Sequence, residues 1–220
     1  MILSFTASSG KRMQTLPGSL ASSAPADGVA YVRGATDVPL SESTIGELLK
    51  DTAQRFPDRQ AVVFREQGVR WTWKEFDERV DRLAAGLLSL GIAKGDRVGI
   101  WSPNRFEWLL TQFATARIGA VLVNINPAYR VSELEYALRK VRCKALVTAE
   151  QFKTSKYISM LLDIAPELTL QQAGDLHCAR LPELRIVIST GDPGISGVTK
   201  NAETLLLPEE SWVRAMTVRM

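Results

Sequence analysis

The stretch IVISTGDPGISGVTK, Ile186 to Lys200, holds the residues whose types could do chemistry together. A run of β-branched residues enters a loop of glycine, serine and threonine that ends in lysine, the outline of a phosphate cradle. In such a cradle backbone amides hold phosphate oxygens and the lysine reaches the terminal phosphates, and the spacing needed is G-x-x-x-x-G-K-[ST]. The spacing here fails. Gly191 and Gly197 stand one residue too far apart, Val198 occupies the lysine position, and Asp192 would put a negative charge inside the cradle. Asp192-Pro193-Gly194 is a turn signal, so the loop reads as a turn-rich connection.

Other chemistries are short of residues. The run Gly91 to Gly99 is not G-x-G-x-x-G and enters a strand rather than leaving one. No G-x-S-x-G elbow occurs. His177, the one histidine, sits in a polar stretch that reads as a surface loop. Two cysteines, Cys143 and Cys178, cannot build a disulfide framework or, with one histidine, a metal site.

In parallel α/β sheets, ligands sit beyond the carboxyl ends of the strands. Those ends read WSPNRFEW and NINPAYR, so Ser102, Asn104, Asn124, Asn126 and Tyr129 are the candidate ligand rim. Each polar residue also has a structural reading. Asn104 stands three before Glu107, as a helix N-cap would, and Asn126-Pro127 reads as a turn.

The elements that must position this rim follow from periodicity. TIGELLKDTAQRFP puts Ile45, Leu48, Leu49, Ala53 and Phe56 on one helical face, opened by a Thr44–Glu47 capping box. AVVF and GVRWT form a hairpin. Thr72 and Glu75 open a long helix, Trp73 to about Leu90, with Phe76, Val80, Leu83 and Leu87 as its stripe and Gly91 as its stop. Strands DRVGIW, AVLVNI, KALVT and LRIVIS then alternate with helices, one of them opened by a Ser132–Glu135 capping box. Such alternation predicts an α/β fold with a parallel-rich sheet flanked by helices on both faces. After Ser189 the pattern dissolves. Three regions result: a flexible tail over 1–40, an ordered subdomain over 41–190, and an irregular or aberrant segment over 191–220.

Of the 220 residues, 45% are hydrophobic and 23% charged, with a net charge of +3, an ordinary globular balance. Scattered basic residues exclude nucleic acid as the main partner; Arg139, Lys140, Arg142 and Lys144 read as a solvated helix end. The most apolar region, Trp108 to Ile125, is interrupted by Arg117, so no transmembrane helix is expected. The tail carries Lys11 and Arg12 with no acid before Asp27, a faint transit-peptide bias. A cytoplasmic location is expected, with the mitochondrial matrix as the alternative.

The ordered set TWKEFDERVDRLAAGLLSLGIAKGDRVGIWSPN, GAVLVNINPAY, ELEYAL and KALV resembles the amino-terminal part of AMP-forming acyl-CoA synthetases, the adenylate-forming ligases. It is most similar to the medium-chain fatty acyl-CoA synthetase branch. The resemblance covers about Tyr31 to Ser189 and makes the ordered region over 41–190 an amino-terminal AMP-binding/ligase subdomain. It implies a reaction in which a fatty acid attacks the α-phosphate of ATP, releasing pyrophosphate, and CoA then displaces AMP, with Mg assisting. The family's Ser/Thr-Gly-rich loop closing in Pro-Lys-Gly, its adenine and Mg motif, its ribose-binding aspartate and its catalytic lysine have no counterpart in this sequence. The resemblance therefore implies a truncated ligase, inactive alone, with no catalytic, cofactor-binding or metal residue carried over and no cofactor bound tightly. It also implies an apolar sheet face left open to association. The alternative is a non-catalytic interaction module derived from that fold.

Overall fold

The computed structural model describes residues 37, 39–191 and 198–199. The expected tail lies almost wholly outside the described residues, as does nearly all of the segment 191–220. The chain divides into Met1–Glu42 and Ser43–Met220, and every described helix and strand belongs to the second unit.

Helix α1 (Ile45–Arg55) opens with the expected box. The Thr44 N–H donates to Glu47 Oε2 at 2.7 Å, and the Glu47 N–H donates to Thr44 Oγ1 at 3.2 Å. Its buried side differs from the expected stripe. Gly46, Leu49 and Ala53 face inward, while Ile45 and Leu48 are each 59% exposed. The reason is a close crossing. A Cβ on Gly46 would sit 3.3 Å from Arg117 Cα, so the helix docks through its smallest residue.

Strands β1 (Gln60–Phe64) and β2 (Val69–Thr72) form the expected antiparallel hairpin. Helix α2 (Trp73–Ser89) follows from the Thr72–Glu75 box and buries Phe76, Val80, Leu83 and Leu87. It ends where Gly91 takes a φ of 84°, a left-handed conformation that glycine adopts without strain. Arg117 ties α3 (Phe106–Arg117) back to α2 through Asp77 and through Asp81 at 3.3 Å.

The centre is a parallel sheet of β3 (Arg97–Trp101), β4 (Val121–Ile125), β5 (Ala145–Thr148) and β8 (Ile186–Ser189), in the order β4-β3-β5-β8. Alternating side chains feed two cores. Val98, Ile100, Ala145, Val147, Ile186 and Ile188 pack with α2, α3 and the hairpin. Trp101, Ile125, Leu146 and Val187 pack with α4 (Val131–Lys140) and α5 (Tyr157–Ile164). Burial of each such aliphatic side chain contributes roughly 1.5–3 kcal/mol. Exposed large apolar side chains are scattered, with Ile45 and Leu48 on α1, Val63 on β1, Val121 at the start of β4, Tyr136 on α4, and Leu40 and Leu170 outside the helices and strands. A small hairpin of β6 (Gln151–Phe152) and β7 (Ser155–Lys156), and a 3-10 turn at Pro166–Thr169, have no periodic signal in the sequence.

Two expected caps are displaced. Helix α3 starts after Arg105, so Asn104 is not its cap. Gln67 takes that role from the hairpin turn, its Oε1 accepting from the Phe106 N–H at 3.0 Å. Helix α4 starts after Arg130, whose N–H donates to Glu133 Oε2 at 2.7 Å. The Ser132–Glu135 box does not form because Glu135 is drawn to Arg180 and Arg139. Order also continues past Ser189. Val198 is buried, and Thr199 bridges β8: its N–H donates to the Val187 carbonyl at 2.8 Å and its carbonyl accepts from the Ser189 N–H at 3.0 Å.

Candidate functional site

The strand order makes one place special. The chain passes from β3 to β4 on one side, then returns to β5 on the other. The carboxyl ends of β3 and β5 are therefore the topological switch point, where the loops diverge and leave a crevice. A cleft of about 850 Å³ opens there. Pro103, Asn104 and Arg105 come from the loop after β3, Phe152 from the segment after β5, and Phe64 to Gln67 from the β1–β2 turn.

The wall nearest α3 is rigid. Glu107 is 5% exposed. Its Oε1 accepts from Arg105 Nη2 at 2.8 Å and its Oε2 from Gln67 Nε2 at 3.0 Å. The hydrogen bond to Glu107 raises the Arg105 pKa further, against partial burial that acts to lower it. One amide thus caps α3 and holds its buried carboxylate together.

Behind the cleft the strand ends are clamped. Trp101 is fully buried and stacks on Tyr157, with ring centroids 3.8 Å apart. Trp101 Nε1 donates to the Asn126 carbonyl at 3.2 Å, and the Tyr157 hydroxyl donates to the Pro127 carbonyl at 2.6 Å. Burial pushes the Tyr157 pKa up to about 12, so the phenol keeps its proton and stays a donor. The Thr148 hydroxyl donates to the Ala149 carbonyl at 2.9 Å.

The candidate rim residues divide. Asn104 is exposed and lines the cleft. Asn124, Asn126 and Tyr129 do not line it. Asn124 is exposed on edge strand β4, in register with Ile100. Asn126 makes the expected turn, its Oδ1 accepting from the Ala128 N–H at 2.9 Å and its carbonyl from the Tyr129 N–H at 3.0 Å. Tyr129 is half-buried against the α4–α5 core. Ser102 is fully buried and donates to the Pro103 carbonyl at 2.9 Å. Gln67, Arg105, Glu107 and Phe152 were not among the candidates. Arg105 and Glu107 stand in the quoted strand-end stretch, whereas Gln67 lies 39 residues from its partner Phe106 and has no local signature.

The Ile186–Lys200 loop does not assemble a cradle among its described residues. The Gly191 N–H donates to Ser189 Oγ at 3.2 Å, and a Cβ on Gly191 would collide with Glu150. Residues 192–197 and Lys200 lie outside the described residues. His177 is a surface residue beside Asp175, 65% exposed. Cys143 and Cys178 are buried free thiols. Among the described residues no cluster of His, Cys, Asp or Glu could hold a metal ion, and no helix is long and apolar enough to cross a membrane. Among the described residues, the cleft lining holds no assembled nucleophile and base.

The family model described as "AMP-binding enzyme" matches residues 49–203. The chain is 50% identical over 169 residues to the mouse (Mus musculus) "Medium-chain acyl-CoA ligase ACSF2, mitochondrial", covering 77% of this chain and 28% of that protein. Among solved structures, a Mycobacterium tuberculosis fatty acyl CoA synthetase superposes with a TM-score of 0.55 at 28% identity, covering 66% of this chain and 26% of that one. The N-terminal domain of FACL13 from the same organism shares the fold, with a TM-score of 0.56 at 23% identity, over 81% of this chain and 37% of that one. The chain spans less than a third of the mouse relative's length. A parallel sheet with its crevice at the switch point, and a family match over most of the chain, place it in the AMP-binding enzyme family, as a portion with the adenylate-forming ligase fold.

Proposed function

We propose that this chain forms part of the large domain of a fatty acyl-CoA ligase, which joins a fatty acid to CoA while ATP becomes AMP and pyrophosphate. The carrying observation is the 50% identity over 169 residues to a medium-chain acyl-CoA ligase. The cleft at the switch point supports it, because that is where such a sheet offers backbone and side-chain donors to a ligand. A medium-length acid is the proposed substrate, in fatty acid metabolism.

On this reading, the chain supplies no complete ATP or Mg site of its own. The Gly191–Lys200 spacing fails as a cradle, and no metal-holding cluster exists among the described residues. On this reading those groups are bound by parts of the ligase that this chain does not span, and the chain alone is inactive. Arg105, Glu107 and Gln67 then serve to hold the crevice wall. The exposed Ile45, Leu48 and Val121 are the proposed points of association. The relative's name, which says mitochondrial, favours a mitochondrial location over the cytoplasm.

Acid-dependent ATP–pyrophosphate exchange tests the inactivity, with octanoate as the acid. The purified chain is expected to show none, and measurable exchange overturns that part. A chimera tests the rest: residues 41–190 replace the matching segment of the mouse ligase. A folded, active chimera is expected. A folded but dead one refutes the ligase reading.

A further inference from the structure

The opposite end of the sheet carries a second feature. A cavity of about 180 Å³ lies between the last turn of α4 and residues 181–184, at the amino ends of β5 and β8. Its inner wall is Leu138, Cys143, Leu181 and Leu184, none more than 2% exposed. Burial pushes the Cys143 thiol up to about 12, so it is a neutral wall rather than a nucleophile. Arg139 and Arg142 stand at the mouth, with side chains 61% and 68% exposed.

We propose that this cavity binds a small monocarboxylate whose body is apolar and of about benzene size, with its carboxylate on Arg142 and Arg139. The size follows from the volume, since an apolar cavity of roughly 150 Å³ takes benzene.

Three observations carry the charge. First, Glu183 already sets a carboxylate at the mouth, its Oε1 lying 3.1 Å from Arg142 Nη2. Exposed pairs of this kind contribute little, so an entering anion can displace it. Second, the helix-end carbonyls that would repel an anion are engaged. Those of Val141 and Arg142 accept from the Arg97 guanidinium at 2.9 and 3.0 Å, and those of Leu138 and Arg139 accept backbone N–H groups. Third, Arg142 occupies the position after the α4 cap with a φ of 53°, where glycine is the usual residue. A side chain in that conformation carries backbone strain that glycine would not. Of the nearby acids, Glu135 is held by Arg180 and stands 3.9 Å from Arg139, leaving Glu183 as the competitor.

The test is calorimetric titration of the full 220-residue chain with benzoate, and with benzyl alcohol as its uncharged counterpart. Saturable benzoate binding is expected, with benzyl alcohol roughly 2- to 5-fold weaker. Arg142→Gly relieves the backbone and keeps the fold, so its effect isolates the guanidinium. It is expected to weaken benzoate roughly 2- to 5-fold while leaving benzyl alcohol unchanged. Glu183→Gln is expected to tighten benzoate roughly 2- to 5-fold. Absence of saturation, equal affinity for acid and alcohol, or an unchanged benzoate affinity in folded Arg142→Gly overturns the proposal. So does a Glu183→Gln variant that binds benzoate more weakly. None of these outcomes bears on the ligase reading, which rests on the other end of the sheet.

Discussion

Gln67 offers the sharpest test of how the crevice wall is built. Its amide makes two contacts across 39 and 40 residues of chain: Oε1 accepts from the Phe106 N–H and Nε2 donates to Glu107 Oε2, both at 3.0 Å. Gln67→Ala removes both. Losing a helix cap costs about 1 kcal/mol. Losing one of the bonds on Glu107 costs about 1 kcal/mol more, since Arg105 still holds that carboxylate. A chain of this size loses about 2–4 °C in Tm per kcal/mol, so Gln67→Ala is expected to melt about 4–8 °C lower. Gln67→Glu separates the two contacts. It keeps an acceptor for the Phe106 N–H but sets a second carboxylate against Glu107, so at neutral pH it should be no more stable than Gln67→Ala. It should recover toward the parent near about pH 4, where carboxylates protonate. Thermal melts followed by far-ultraviolet circular dichroism measure all three proteins. A Gln67→Ala melt within about 1 °C of the parent, or a Gln67→Glu variant clearly above Gln67→Ala at neutral pH, would refute the two-contact account.

Four further outcomes follow from packing and charge. A Cβ on Gly99 would lie 3.1 Å from Cys143 Sγ and Ile125 Cδ1 and 3.2 Å from Leu146 Cδ1. Gly99→Ala should therefore cost about 1–3 kcal/mol by overpacking, read as a lower urea midpoint at unchanged slope. Burial pushes Asp81 above its ordinary value of 3.8, with Asp77 adding to the rise and Arg117 and Lys50 opposing it. The folded state then binds that proton more tightly, so this contribution falls as pH rises from 3.8 through the raised value, and Asp81→Asn should remove the slope. Burial pushes Asp96 up as well, but bonds from Lys144 and the Ala93 N–H and the charges of Lys144 and Arg97 outweigh it and hold Asp96 below 3.8. Its stabilisation is present above 3.8 and is lost as pH falls through the lower value, a loss that Asp96→Asn should abolish in urea titrations across the acid range. Cys143 and Cys178 are buried and their thiol pKa values are raised, mainly by burial. A thiol-exchange reagent should label neither until urea unfolds the chain, and fast labelling of the native protein would contradict that burial.

What the sequence makes legible here is whatever is local. The boxes at Thr44 and Thr72, the stop at Gly91 and the four apolar strands each follow from neighbouring residues, and each stands where periodicity puts it. Expectation failed where a distant partner decided the outcome. Asn104 has the residue type and spacing of a cap, yet Gln67 from the hairpin caps α3. Ser132 and Glu135 have the spacing of a box, yet Arg180 takes Glu135 and the helix starts on Arg130 and Glu133. On α1 the spacing predicts a stripe of Ile45, Leu48, Leu49, Ala53 and Phe56; Leu49 and Ala53 are buried, but the crossing with Arg117 turns Gly46 inward and leaves Ile45 and Leu48 exposed. Of the rim, Asn104 reaches the cleft because the loop after β3 ends there, whereas Asn126 is consumed by its own turn.

The same division explains why the crevice has no short motif of its own. Its walls come from the loop after β3, the segment after β5 and the β1–β2 turn, brought together only when the sheet reverses its order at β3. Two of these walls are anchored. The loop after β3 is fixed through buried Ser102 and Trp101, and the segment after β5 by the Tyr157 N–H, which donates to the Glu150 carbonyl at 2.9 Å. The third wall stands apart from the parallel sheet: the hairpin is a separate two-stranded unit. Its packing is apolar, through Val62 and Trp71, and apolar contact fixes distance better than orientation. Orientation at the crevice comes from the directional bonds of Gln67 to α3. A carboxamide in the hairpin turn therefore does for this wall what strand pairing does for the sheet, and no motif would select it.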